Sequence, residues 1–190
     1  MDQDILRVHH IELASRANGP GQRFVIWVQG CSLGCPGCFN PETHSAQGGA
    51  RLSVLSLAGQ VLAKKDQIEG ITISGGEPLQ QIPALIRLLQ IIRQPSGLSV
   101  LLFSGFTWAE IQRIPGSQNI LAATDILLAG RYQAENRLAR GLLGSANKTA
   151  HFFTGRYTMR DLETIPEAEL FINIDGSITA TGIDPYVGEK

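Results

Sequence analysis

The chain has no cysteine outside one eight-residue window, no charge excess and no long apolar run. Its 16 Lys and Arg stand against 17 Asp and Glu, a net charge of -1. That balance creates no field to draw in nucleic acid or an anionic membrane, so neither is expected as a partner. No stretch reaches the roughly 18 uninterrupted apolar residues of a membrane span. The opening MDQDILRVHH is acidic and lacks an apolar core, so no secretion signal is expected either. No internal repeat, low-complexity tract or linker divides the sequence, and one domain over residues 1–190 is expected. Three cysteines are an odd number for disulfides. Without a signal they fit a reducing cytoplasm, where thiols stay free to bind metal.

What the chain does have is ordinary globular material, 43% hydrophobic and 17% charged. Short apolar runs recur, each closed by glycine: FVIWVQG (24–30), ITISGG (71–76), VLLFSG (100–105), DILLAG (125–130) and, more weakly, HFFTG (151–155). The first four are continuously apolar, as in strands buried on both faces. Helical spacing lies between them. Ser53 is placed to cap a helix lined by Val54, Leu57, Ala58, Val61 and Leu62, and residues 82–93 repeat the pattern. A shorter helix is expected from Trp108 to Ile114. Strand, loop and helix in repetition specify an α/β fold with a parallel sheet and right-handed crossovers. The length favours a partial (βα) barrel, because eight units need about 200 residues or more. In such sheets ligands sit beyond the C-terminal strand ends, where these glycines fall. LFINIDGSITATG (170–182) alternates around Asp175-Gly176 and reads as a C-terminal β-hairpin. Residues 131–150 are the most polar and irregular part, a candidate loop or interaction surface.

Every thiol lies in GCSLGCPGCFN (30–40): Cys31, Cys35 and Cys38. Gly30, Gly34 and Gly37 let the backbone wrap closely, and thiolates at this spacing converge on one soft metal centre. One possibility is a zinc site with His44 as the fourth ligand; another is three incidental thiols. The preferred one is an iron–sulfur cube whose fourth iron is left open to a small molecule. A second motif, SGGEP (74–78), follows the second run, so adjacent strand ends put Gly75, Gly76 and Glu77 beside the cysteine loop. Glycine backbone and a carboxylate suit an ammonium group. Trp27 and Trp108 read as core or helix-face residues, and the four histidines carry little weight.

Together, C-x3-C-x2-C and the GGEP loop resemble the radical S-adenosylmethionine (SAM) superfamily. GPGQRFVIWVQGCSLGCPGCFNPETH (19–44) resembles its glycyl-radical-enzyme activating family. With LFSGFTWAEI (102–111), DILLAG and GSANK (144–148), the likeness is greatest to the subfamily that activates anaerobic ribonucleoside-triphosphate reductase. The resemblance implies a partial barrel of the radical SAM type in which Cys31, Cys35 and Cys38 bind a [4Fe–4S] cluster. SAM would chelate its fourth iron and be cleaved reductively to a 5′-deoxyadenosyl radical. It further implies that Gly75, Gly76 and Glu77 hold the methionine amine, that Gly37 and Phe39 flank the adenosine, and that Ser104 is a further SAM contact. Asp125 would cap or position a loop, and Asn147 would meet SAM, substrate or its own loop. The implied partner is a glycyl radical enzyme, here anaerobic ribonucleotide reductase, with flavodoxin or ferredoxin as electron donor. Radical chemistry on a small metabolite or peptide is the alternative. Three positions depart from the pattern: Gly37, where the superfamily often has an aromatic residue; Ala129, where a second acid is common; and Lys148, where Gln is common.

Overall fold

The computed structural model describes residues 3–172 and 174–183. In chain order the strands are β1 (Ile5–Ser15), β2 (Arg23–Val28), β3 (Ala50–Ser53), β4 (Gly70–Gly75), β5 (Ser99–Ser104) and β6 (Ile126–Ala129). They continue with β7 (Arg137–Arg140), β8 (Leu143–Ser145), β9 (Thr149–Phe152), β10 (Ala168–Ile172) and β11 (Ile178–Gly182). The helices are α1 (Val54–Ala63), α2 (Ile82–Ser96), α3 (Trp108–Ile111), α4 (Ser117–Leu121) and α5 (Met159–Glu163). Among the described residues, no helix is long and apolar enough to cross a membrane.

Seven strands form one sheet in the order β3-β1-β2-β4-β5-β6-β9. Its centre, β2-β4-β5-β6, is parallel, and these are the four continuously apolar runs of the sequence. The reason they are apolar is visible in β5 and β6. Val100, Leu102 and Leu127 join the core under α1 and α2, while Leu101, Ile126 and Leu128 join a second core with Leu142, Tyr157, Leu162 and Ile165. Burial on both faces makes the run apolar, with polar side chains such as Arg23, Thr72 and Ser99 kept where they bond one another. The helices follow their apolar spacing: α1 buries Val54, Leu57, Ala58 and Val61, and α2 buries Ala84, Leu85, Leu88, Leu89 and Ile92. The expected α/β fold with its parallel-rich sheet is therefore present, as is the C-terminal hairpin, β10 against β11. Asn173, near its turn, lies outside the described residues.

Several details differ from the sequence reading. Antiparallel strands border the parallel centre. β1 precedes β2 and pairs with it, with β3 on its outer side, so the cysteine loop follows the second strand rather than the first. β1 escapes a search for continuous runs because only one face is covered: Leu6 and Val8 are buried while His9 and His10 are exposed. HFFTG runs antiparallel to β6 as the far edge, β9. Ser53 occupies the N-cap of α1, but its side chain accepts no capping hydrogen bond. Helix 108–114 is a single turn, held by a capping box in which Thr107 and Glu110 exchange bonds. The polar segment 131–150 folds into the β7–β8 hairpin and leads into β9.

Arg23 pins the sheet at the end remote from the glycines. It is fully buried, donating to the Thr72 hydroxyl (3.2 Å) on adjacent β4 and to the Ser99 hydroxyl (2.6 Å) on β5, one strand further along the sheet. Burial pulls its pKa down to about 10, against the opposing pull of Tyr157, Glu69 and Asp125. Leu102, wholly buried, and Leu55, 60% exposed, give a contrast. In urea denaturation Leu102→Ala is expected to cost about 2–5 kcal/mol, whereas Leu55→Ala stays within about 0.5 kcal/mol.

Candidate functional site

The site is built where β2, β4 and β5 end. Beyond Val28 the chain leaves the sheet through Gln29 and Gly30, the latter at φ 101°. The loop that follows is tied shut at its neck, because the Gly30 N–H donates to Thr43 O (2.8 Å) and the Cys31 N–H to His44 O (3.0 Å). Gln29 is buried and braces the return: its amide donates to Glu42 O (3.0 Å) and Ser45 O (2.9 Å). Inside the loop, the Cys38 N–H donates to Cys35 O (3.2 Å), and Gly34 and Gly37 adopt φ 61° and 66°. These are left-handed conformations that favour glycine.

The GGEP loop lies directly on this neck. The Gly76 N–H donates to Val28 O (2.8 Å) and the Glu77 N–H to Gly30 O (2.9 Å). A Cβ on Gly76 would meet the Gly30 carbonyl oxygen at 2.4 Å, so only glycine permits the approach. A further tie runs from the Ser32 N–H to Gln80 Oε1 (3.2 Å).

Glu77 is fully buried, and its carboxylate accepts three bonds from its own chain. Oε1 takes the Leu79 N–H (2.9 Å) and the Ser104 hydroxyl (3.0 Å), and Oε2 takes the Gly105 N–H (2.7 Å). It thereby joins the end of β4 to the end of β5. Burial pushes its pKa up to about 7, since loss of hydration outweighs the bonds that favour the charged form.

Cys31, Cys35 and Cys38, together with Phe39, Gly75, Gly76, Glu77 and Ser104, line one cavity. Gly37 is not among the lining residues; a Cβ there would point at Ala134, 3.3 Å away. Phe39 packs on Tyr132 (ring centroids 4.4 Å apart) with the Arg137 guanidinium 4.8 Å from its ring centre. Asn147 donates to Arg131 O (2.9 Å), across the base of the β7–β8 hairpin. Asp125 accepts from Arg93, the Val100 N–H and Thr154, so it positions the start of β6. Sequence reasoning missed Trp27 and Lys148 as lining residues. In β2, Trp27 is only half-buried between fully buried Ile26 and Val28, and its ring lies 5.4 Å from that of His10. Strand alternation placed it on the cavity side, a signal masked by the continuous apolar run.

Burial raises the pKa of both Cys31 and Cys38, and their neighbouring thiols push the same way. A bound cation would reverse that balance, so metal loading and thiol deprotonation go together. Among the described residues, no three His, Cys, Asp or Glu side chains are grouped to hold a single metal ion. The donor set is three thiols along one wall of a cavity, with no fourth cysteine in the sequence. Residues 17–151 match the family described as a 4Fe-4S single cluster domain.

The chain belongs to this 4Fe-4S family. An anaerobic ribonucleoside-triphosphate reductase-activating protein of Vibrio cholerae is 32% identical over 146 residues, covering 72% of this chain and 92% of that one. A pyruvate formate-lyase-activating enzyme of Clostridium pasteurianum is 32% identical over 126 residues, 64% of this chain and 50% of that one. The chain thus spans about half the length, or less, of the pyruvate formate-lyase-activating relatives it matches. Among solved structures, QueE from Escherichia coli aligns over 54% of each chain with 15% identity and a TM-score of 0.46. The three-thiol wall fits a family cluster with soft, anionic ligands.

Because the Glu77 pKa is raised from 4.5 to about 7, the cluster-free protein loses stability as pH rises between those values. Urea denaturation across that range should show a fall on the order of 3 kcal/mol. That slope is absent from Glu77→Gln, and a parallel slope in the variant would assign it to another group.

Proposed function

We propose that this protein is a radical SAM activating enzyme: it cleaves SAM reductively and generates a glycyl radical on a partner, anaerobic ribonucleotide reductase. The observation that carries this reading is the hydrogen-bonded junction of the cysteine loop and the GGEP loop over one cavity. A metal-only module has no use for the second loop.

In this reading Cys31, Cys35 and Cys38 hold three irons of a [4Fe–4S] cluster. When bound, the cluster and SAM supply one-electron cleavage of a sulfonium carbon–sulfur bond. The chain binds and orients. Backbone groups of Gly75 and Gly76 take the methionine amine. The Glu77 carboxylate fixes the Ser104–Gly105 turn beneath them, consistent with its three internal bonds. Phe39, packed on Tyr132 and lining the cavity, packs beside the adenosine, and Gly37 keeps the adjacent turn open. Apolar lining from Leu33, Phe103 and Leu142 excludes water from the reacting carbon. No side chain of this set is required to move a proton. The described residues act as one domain, with flavodoxin or ferredoxin as the electron source in a cytoplasmic setting.

Anaerobic reconstitution tests the first step. Wild type is expected to bind iron and sulfide in equal amounts and, with SAM and dithionite, to release 5′-deoxyadenosine. Cys35→Ala should keep its fold by circular dichroism yet hold no intact cluster; full SAM cleavage by it would refute the ligand assignment. Gly76→Ala should retain iron but lose SAM affinity by about tenfold or more, because its Cβ forces the two loops apart. The target is tested by electron paramagnetic resonance of the reductase after incubation. A glycyl radical doublet is expected, and SAM cleavage without that doublet would move the substrate to a small metabolite or peptide.

A further inference from the structure

We propose that the Lys148 ammonium is the fixed positive charge of the thiol cavity and raises the reduction potential of the cluster held there. The inference rests on the cluster ligation proposed above and adds a residue outside both motifs. Among the described residues lining the cavity, Lys148 is the only Lys or Arg. It is half-buried, and its position is built rather than incidental. Nζ donates to Gly130 O (2.5 Å), and the Lys148 N–H donates to Ser145 O (3.2 Å). Gly130, at φ 121°, brings its backbone so near that a Cβ there would lie 3.4 Å from the Lys148 Cα. The ammonium therefore cannot swing into solvent without losing its one protein acceptor.

From that position it interacts electrostatically with Cys35, Glu77 and Cys38, each of which favours its charged form while burial opposes it. The interaction is mutual: a cation that thiolates stabilise also stabilises those thiolates. One-electron reduction adds one negative charge to the cluster, taken from the reductant, with no bond made or broken. Net charge, hydrogen bonding and solvent exposure set such potentials. At short range a fixed cation favours the more negative, reduced state. A glutamine, which the resembling subfamily commonly has at this position, would preserve a donor to Gly130 O but carry no charge.

The test uses the reconstituted holoprotein without SAM. Potentiometric titration with dithionite, followed by electron paramagnetic resonance, compares wild type with Lys148→Gln and Lys148→Arg at equal iron content. Lys148→Gln should be reduced about tenfold less favourably, a shift of about 59 mV to more negative potential for one electron. Lys148→Arg should stay near wild type. An unchanged potential in Lys148→Gln overturns the proposal. So does an equal shift in both variants, which would assign the effect to packing rather than charge. Should Lys148→Gln fail to retain iron, Lys148→Met replaces it with the same expected shift. Absence of an iron–sulfur signal in wild type would instead overturn the ligation on which this rests, a distinct result.

Discussion

The structure of the site depends on one close approach, that of Gly76 to the Gly30 carbonyl. Two hydrogen bonds, from Gly76 to Val28 and from Glu77 to Gly30, fasten the GGEP loop to the neck of the cysteine loop. Neither bond survives a side chain at residue 76, because the first carbon would sit 2.4 Å from the Gly30 oxygen. The contact is available because β2 and β4 are adjacent and parallel in register, Val28 opposite Gly75. A parallel sheet delivers both loops to the same edge, and glycine then lets them touch.

Around that contact the protein accepts unfavourable electrostatics. A carboxylate lies buried at Glu77, two thiols are held above their ordinary pKa, and one ammonium is held below its own. Such groups cluster where a ligand completes the charge balance more often than in a purely structural core. Arg23 shows the structural counterpart at the opposite end of the sheet. It is also buried and shifted, yet surrounded by acceptors that use its guanidinium fully. The contrast separates a cluster of thiols, carboxylate and ammonium lining a cavity from a brace bonded within the sheet.

Much of this was legible in the sequence for a specific physical reason. Strands covered on both faces must be continuously apolar, so the four central strands announced themselves and placed the cysteine and GGEP loops on one edge. Cys31, Cys35, Cys38, Gly75, Gly76 and Glu77 were found together on that logic. The bordering strand β1 was not, because one face is solvated and its apolar residues alternate with histidine and glutamate. The direction of β9 depends on a hairpin-bearing loop whose path no local pattern fixes. Lys148 is far from both motifs in sequence. Only the close packing of Gly130 against the loop after β8 brings it to the thiols; the GSANK resemblance marked the position as a departure, but no local pattern placed it in the cavity.

The central claim is that the cysteine loop and the GGEP loop serve one bound assembly, with SAM held on the iron the thiols leave open. Electron–nuclear double resonance on the reduced, reconstituted protein with SAM labelled by 15N at its amine addresses this directly. The account predicts a resolved coupling between that nitrogen and the cluster spin. A cluster signal that shows no coupling at saturating SAM would contradict it.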